Sequence, residues 1–564
     1  MIEQSIDLNN LSLSHIKKLN QIIITEKTRF NLFFDMHVLG NNKEKSFLLS
    51  GIATRDINLN SIYETLCIFE LLKEEILSEN YAQIIVQNYS QKLIFENFIK
   101  GKKIKIKVYL KKNVQVKEWL SVIYQWLSTT YLLTLEFIGS KVVPIKTKVE
   151  EKVILLTSFL LYTSFDKEGE YVDNYYRKLR EYTDKKNIYY LFTLIIYRNY
   201  FSYLKKIKKA GIPFILRASY LKLFDYLVAA FFPFSILKHC SFKDIVYNDV
   251  DVSFLFNYEL IKTSTLNSVI SANLQYSFIK RLKERKVEIE LIVDWFENQL
   301  ISRAVTLAVK EYYPEVKITG YLGSIPPDSY IHLFPSEEET NLKLVPEKIF
   351  VTGNSIANQY RQVNEKIDVR VGPAFRYSPN KIENLQEKER FNILVALPFE
   401  LNQLKNILIL LKNSLFDSIS KKIRIIIKPH PMYGISDINR ILPELLEENF
   451  EFTNESISQC FSCTDLLLSS NSSACLEAIA SGIPVIVICS TTSLTHIRIP
   501  QSVDSSLWAL AYDRDDLMCL VTRFYLNKSK NYSEVAMDVR MNFFQLPTRE
   551  NVNQLFTIDK NLNN

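Results

Sequence analysis

The chain has 564 residues, which at about 100–200 residues per domain is room for roughly three to five units and excludes a single small module. Lys and Arg total 69 and Asp and Glu 62, a net charge of +7 on a chain that is 47% hydrophobic and 23% charged; this is the balance of a well-cored globular protein and excludes a disordered one. Glycine (12) and proline (17) fall well below the average usage of about 7% and 5%, which disfavours collagen-like, linker-dominated and glycine-rich phosphate-cradling architectures.

The first 145 residues alternate between helix and strand patterns. Ser61 to Leu77 has helical spacing of apolar residues, Ala82 to Val86 reads as a short buried strand, Gln91 to Ile99 is helical, and Lys103 to Leu110 alternates like a half-exposed strand. Residues 1–145 are therefore expected to be an α/β accessory region, with no cluster of titratable groups that suggests chemistry. Lys152 to Phe165 opens a second α/β unit, followed by a helix through Tyr175 to Tyr182 and a strand at Ile188 to Ile196. Residues 200–285 read as mostly helical, aromatic and lysine-rich. Within them Tyr226 to Leu237 is too short to cross a bilayer and is broken by Pro233. A buried helix beside a solvated face is the favoured reading of that stretch; with Lys205, Lys206, Lys208 and Lys209 upstream, the other reading is a peripheral membrane contact on anionic headgroups.

Val287 to Val293 is the clearest buried strand of this half and leads into the polar stretch 294–299 and a helix through about Lys310; short strands follow at Val316 to Thr319 and Ile349 to Val351. Asp368 to Arg390, with two prolines and a dense charge run, reads as an interdomain linker. The rhythm then restarts with strands at Ile393 to Leu397, Ile423 to Ile427, Phe450 to Thr453, Leu466 to Leu468 and Val485 to Ile488, alternating with helices as a doubly wound sheet does. The last 40 or so residues look helical and are expected to pack back across both halves. The expected units are 1–145, a Rossmann-like domain 146–375, and a second Rossmann-like domain 390–564 carrying the C-terminal helices.

Two motifs follow buried strands of the last unit. In Lys428-Pro429-His430-Pro431 the prolines stiffen the turn, so that a histidine at the strand's C-terminal end is aimed at the crevice where open α/β sheets bind ligands and can donate to a phosphate oxygen. In Ser469-Ser470-Asn471-Ser472-Ser473, leading into Ala474 to Ala480, hydroxyls and backbone N–H groups suit an anion, while Glu477, one turn on, suits ribose hydroxyls. The plainer reading makes the serines an N-cap and Glu477 a complement to the helix dipole.

KPHP followed about 40 residues later by SSNSSACLEAIASGIPVIV resembles the nucleotide-binding domain of GT-B glycosyltransferases, especially the bacterial sialyltransferase-like and Kdo-transferase-like enzymes with an HP motif and a serine motif. The resemblance implies a two-domain GT-B α/β fold and donor-nucleotide contacts by Lys428, His430, Pro431, Ser470, Ser472, Ser473 and Glu477. It also implies a CMP-linked ulosonic acid (Kdo, sialic, legionaminic or pseudaminic type) as the donor. LIVDWFENQ, ITGYLGS, YIHLFPSEEE, VPEKIFVTGNS and VGPAFRY are similar to a group of bacterial surface-carbohydrate and O-antigen biosynthesis proteins, the setting of capsule and lipopolysaccharide assembly.

Glycosyl transfer needs a carboxylate near the acceptor hydroxyl, and a strand-end carboxylate in a semi-buried cleft can serve. Asp294 and Glu297 are the candidates. Asp294 is the better N-cap type, which leaves Glu297 freer to face the cleft as the base. Trp295 and Phe296 are read as an aromatic wall for a sugar ring, the other reading being a hydrophobic staple into the core, favoured more for Phe296 than for Trp295; Asn298 and Arg376 are further substrate-contact candidates, Arg376 through a bidentate grip on a phosphate or carboxylate. Glu337, Glu338 and Glu339 read as a solvated helix start.

No metal-binding acidic pair stands out, and Cys460 and Cys463 lack a second pair at zinc-site spacing, so neither a metal nor another cofactor is expected. The seven dilute cysteines and the absence of a signal-like N-terminus fit a cytoplasmic location, with the inner face of the plasma membrane as the place for a lipid-linked glycan acceptor. Two alternatives remain: a UDP-sugar transferase or GT-B-fold epimerase, and a non-catalytic glycan-binding scaffold. Nucleic acid is not an expected partner, because the charge is diffuse and forms no basic stripe with interleaved aromatics.

Overall fold

The computed structural model describes residues 5–145, 149, 152–166, 168–194, 200–377, 390–414, 422–430, 432–441, 450–491 and 493–558. Two large parallel sheets organise it. The first has seven strands: β4 (Val153–Leu160), β5 (Ile188–Leu194), β6 (Phe214–Ile215), β9 (Ile289–Trp295), β10 (Lys317–Leu322), β11 (Lys348–Val351) and β12 (Asp368–Val371), in the order β12-β11-β10-β9-β4-β5-β6. The second has six: β13 (Phe391–Ala396), β14 (Ile423–Lys428), β15 (Phe450–Phe452), β16 (Leu466–Ser469), β17 (Val485–Ile488) and β18 (Trp508–Ala511), in the order β15-β14-β13-β16-β17-β18. Every pairing in both is parallel. Each chain path starts in mid-sheet, runs to one edge, then returns and runs to the other, the doubly wound order with its switch point beside the first strand. The switch lies between β4 and β9 in the first sheet and between β13 and β16 in the second. The expected α/β class with two Rossmann-like sheets is the observed one.

The strands are near-continuous apolar runs because both faces of each sheet are covered. Along β4, Val153 and Leu155 join one core while Ile154 and Leu156 join the opposite one, as the two-residue side-chain period requires. The first of these cores continues into the N-terminal region, where β1 (Ser5–Asp7), β2 (Gln83–Ile85) and β3 (Lys107–Tyr109) form a small parallel sheet among long helices. Phe30, Phe69 and Phe95 there share one apolar cluster with Leu155, Leu191 and Ile292. A hairpin of β7 (Val246–Tyr247) and β8 (Val250–Asp251) completes the strands among the described residues.

A buried charge cluster fastens the N-terminal region to the first sheet. Glu339 is fully buried and its carboxylate accepts from Arg303 and, at 2.5 Å, from Arg55, both fully buried as well. Arg55 also donates to Asn31 and to the Phe334 carbonyl, and Arg303 to the Ala53 carbonyl at 2.8 Å. Burial works against ionisation of Glu339, but Arg55 and Arg303 hold its carboxyl below the ordinary glutamate value. This corrects the reading of Glu337, Glu338 and Glu339 as a solvated run. The three do start a helix, in a capping box with Ser336, but its N3 member turns inward.

The C-terminal segment crosses both halves, as expected. Helix Ser533–Phe543 packs on helices Ala474–Ala480 and Asn354–Val363. The approach is close at Gly353, where a Cβ would lie 2.3 Å from the Asn542 carbonyl oxygen. Gln545 then donates to the Thr352 carbonyl and accepts from the Ala374 N–H, like a short added strand pairing. Val552, Leu555 and Phe556 finish in the core under the first sheet.

Several elements differ from the sequence reading. Asp368–Val371 is an edge strand of the first sheet, so the expected linker begins later; residues 378–389 lie outside those described. Strands β1, β6 and β18 were not anticipated, being short or flanked by helix-like patterns. The 31-residue helix Lys112–Val142 was missed because apolar residues occur all round it and no single period dominates.

Removing the Glu339 carboxylate leaves two buried guanidinium groups uncompensated. Glu339→Ala is expected to cost about 3–5 kcal/mol, read as a lower urea midpoint, whereas Glu337→Ala on the same helix should leave the midpoint essentially unchanged.

Candidate functional site

In a parallel sheet all strand ends of one kind share an edge, so the topology fixes which loops meet. Past the C-terminal edge of the second sheet lie the turn after β14 with His430, the 397–403 segment after β13, the serine turn after β16, and the described residues 489–491 and 493–499 after β17. His430 and the serines flank β13 on either side. They are two strand spacings apart, about 10 Å, and straddle the switch point. Both motifs therefore face one crevice.

The groups in that crevice divide by what they hold. His430 is half-buried, its ring edge against Phe399, and its Nδ1 accepts from the Met432 N–H at 3.3 Å. That bond assigns the proton of the neutral imidazole to Nε2. Burial, with Lys428 nearby, lowers its pKa, so His430 presents a neutral N–H donor. Ser470 is buried and spends its hydroxyl on Gln403 Oε1 at 2.9 Å, so it positions the helix after β13 and is not a ligand contact as placed. Ser472 and Ser473 are half-buried at the turn's rim; the Ser472 hydroxyl accepts from the Ala474 N–H at 3.3 Å. Lys428 is half-buried and loses proton affinity to burial; Cys460 and Glu455, which lie near it, follow β15, away from the switch point. Pro431 lies outside the described residues.

On the facing edge, β9 runs two residues further than expected and carries Asp294 within the strand. Its Oδ1 accepts from the Thr157 hydroxyl on β4 at 2.7 Å, and Thr157 Oγ1 accepts from the Trp295 N–H at 2.7 Å, a polar stitch across the first sheet's switch point. Asp294 is 1% exposed and burial raises its carboxyl to about 6, against the Thr157 hydrogen bond. It is not an N-cap: the helix begins at Leu300, after Gln299. As placed it cannot reach an acceptor in the cleft.

Glu297 is half-buried. Trp295 Nε1–H donates to its Oε1 at 3.1 Å and Ser324 Oγ–H at 3.3 Å, while Gln299 donates to Oε2 at 3.0 Å. These bonds fix its direction. Trp295 is 2% exposed and packs edge-on against Tyr175 and Tyr321, and Phe296 is 1% exposed within an apolar cluster, so both are core residues and neither is a wall for a sugar. Asn298 adopts a left-handed φ of 47°, which asparagine tolerates, and is fully buried with its amide on the His332 carbonyl and Glu339. It turns the chain and does not face substrate.

Arg376 lies between the halves. Its guanidinium is 5.6 Å from the Tyr175 ring centroid and 5.8 Å from that of Trp295, within cation–π range. Burial would lower its pKa, but Tyr377, Tyr175, Glu297 and Glu477 raise it above the ordinary arginine value. Glu477 in turn is pushed up to about 7 by burial, against the pull of Arg376 and Arg177. One arginine thus faces a carboxylate from each half.

Sequence reasoning missed the residues that join the two edges. Arg498, after β17, donates from Nε to Asn471 Oδ1 at 2.8 Å and from a terminal nitrogen to the Ile325 carbonyl at 2.9 Å. Asn471 donates to the Tyr330 hydroxyl at 2.7 Å, and His496 Nδ1 lies 2.9 Å from the Ser329 hydroxyl. Burial drives His496 down to about 3, helped by Arg498 and His332, so it is neutral. The rule that pointed to the loops after β14 and β16 also applies to β17, whose loop carries THIRIP. Among the described residues no group of three or more His, Cys, Asp and Glu side chains could hold a metal ion.

No protein-family model matches the chain, and no curated protein does. Solved structures with some likeness include an S. aureus MnaA–UDP complex (TM-score 0.40, 10% identity, 72% of this chain and 95% of that one). Acinetobacter baumannii MurG aligns with a TM-score of 0.42, 11% identity and coverage of 72% and 99%. The wall teichoic acid polymerase TagF, in a structure with CDPG, gives 0.36, 12%, 79% and 96%. Likenesses this distant carry no argument about activity.

The raised value of Glu477 has a definite sign. The folded protein keeps this proton up to about pH 7, whereas the unfolded chain releases it near 4.5, so the group subtracts stability as pH rises through that window. Glu477→Gln should therefore raise the thermal midpoint relative to the parent more at pH 8 than at pH 4.5; an equal difference at both pH values would contradict the assignment.

Proposed function

We propose that the protein is a glycosyltransferase of GT-B architecture that takes a nucleotide-activated sugar in the crevice above β13 and passes the sugar to an acceptor hydroxyl presented to Glu297. The observation that carries this reading is the meeting of two switch-point crevices: phosphate-type donors, His430 Nε2–H and the Ser472 and Ser473 hydroxyls, stand on one side, and an oriented carboxylate stands on the other. Glu297 takes the acceptor proton as the acceptor oxygen bonds to the anomeric carbon and the bond from that carbon to the nucleotide phosphate breaks. The charge gathering on the leaving phosphate meets His430 and the serine hydroxyls. Glu477, when ionised, accepts from ribose hydroxyls. Asp294 is the positioning residue that stitches β9 to β4.

The finer reading is a CMP-linked ulosonic acid as donor and a growing surface glycan or lipid-linked glycan at the inner face of the plasma membrane as acceptor. Arg376 and Arg177 beside Glu477 support a donor whose sugar carries a carboxylate. The same two arginines suit a second phosphate, so a UDP-sugar transferase or epimerase is the competing reading. Titration calorimetry with CMP, CMP-sugars and UDP-sugars separates them: CMP ligands should bind and UDP ligands bind more weakly, and the reverse order would overturn the CMP reading. Glu297→Gln should lower turnover by about 10²–10⁴ with donor affinity nearly unchanged. Full glycan synthesis by that variant would instead mark a binding scaffold.

A further inference from the structure

We propose that helix Lys112–Val142, together with helices Leu223–Ala230 and Phe232–His239, forms a surface that docks on an anionic lipid bilayer. Along the long helix Leu120, Ile123, Tyr124, Leu127, Tyr131 and Ile138 are exposed one, three, four or seven positions apart, which places them in a single stripe, with Tyr124 71% exposed. Thr129, Leu133, Glu136 and Gly139 form the buried side. A second apolar row lies beside it, made by Phe224 (68% exposed), Leu227, Phe231 and Phe234. Trp126 fastens the rows together: its Nε1–H donates to the Ala230 carbonyl at 2.8 Å and its ring meets Phe231 and Phe234 edge-on. A contiguous apolar face of this kind, left open on a folded chain, marks an interaction surface.

Charge selects the occupant. Gly139 lets the Tyr200 ring approach where a Cβ would lie 2.5 Å from it, which brings helix Tyr200–Lys209 with exposed Lys205, Lys208 and Lys209 to the end of the stripe. Lys112 and Lys117 are exposed at the other end. The acids of these segments are turned inward: Glu118 accepts from the Tyr258 hydroxyl, Glu136 is gripped by Arg217, and Asp225 by Arg281. A second copy of the same face would bring lysine against lysine, whereas anionic headgroups complement it and acyl chains take up the stripe. Exposed Trp119, Tyr124 and Tyr131 suit the headgroup level. Among the described residues no helix is long and apolar enough to cross a membrane, so the face would lie on the bilayer.

The inference does not rest on the transfer reading, and vesicle flotation of the full chain tests it without any sugar. Vesicles of phosphatidylcholine with about one third phosphatidylglycerol should carry at least about tenfold more protein than phosphatidylcholine alone at low salt. Leu120→Glu/Leu127→Glu/Phe224→Glu should abolish flotation while the circular dichroism and thermal midpoint stay as in the parent. Lys205→Glu/Lys208→Glu/Lys209→Glu should remove the preference for anionic vesicles. Failure of the parent to float, equal flotation on both vesicle types, or a lipid-free dimer in light scattering that the apolar substitutions split would each overturn it.

Discussion

Gly323 packs its backbone against the Trp295 ring, where a Cβ would come within 2.2 Å. The next residue, Ser324, donates to Glu297, Ile325 offers its carbonyl to Arg498, Ser329 meets His496, and the Tyr330 hydroxyl accepts from Asn471. Residues 323–330 therefore touch the carboxylate of one sheet and the strand-end loops of the other within a single turn, stiffened at its centre by Pro326 and Pro327. If this turn moved, Glu297 would lose a hydrogen bond and the two edges would lose their register together. The chemistry proposed for the cleft depends on this joint more than on either motif taken alone.

Other features hold the joint from behind. An apolar cluster shared by both halves contains Phe296, Leu322, Ile325 and Tyr330 from one side and Leu467, Leu476, Ile479 and Val487 from the other. The C-terminal segment straps the same seam through Gly353 and Gln545. The N-terminal region reaches the second sheet as well, since Glu64 accepts from the Leu494 N–H and Lys17 lies over the Tyr512 ring. The halves are thus tied at the cleft, along the tail and through the N-terminal helices.

The α/β class and most strands of both sheets were legible because buried parallel strands are short apolar runs bounded by turns, a pattern that survives without knowledge of partners. The two loops flanking β13 were legible for the same reason, as polar residues directly after such runs. What the sequence did not disclose depends on distant partners. Glu339 reads as one acid of an exposed run until Arg55, almost 300 positions earlier, is seen against it. Asp294 has the composition of a helix cap, yet the strand continues through it because Thr157 on β4 takes its carboxylate. Trp295 and Asn298 look available for substrate in a linear motif, but one closes a core and the other supports a left-handed turn.

The central claim is that one negatively charged nucleotide is gripped on both sides of β13 at the mouth of the second sheet. A crystal structure of the protein with CMP or a CMP-sugar tests it directly. The account predicts a phosphate oxygen within hydrogen-bond distance of His430 Nε2 and of the Ser472 or Ser473 hydroxyl, with Glu297 facing the open side of the ligand. A nucleotide bound away from β13, or touching the serines while His430 stays against Phe399 with no ligand near Nε2, would contradict it.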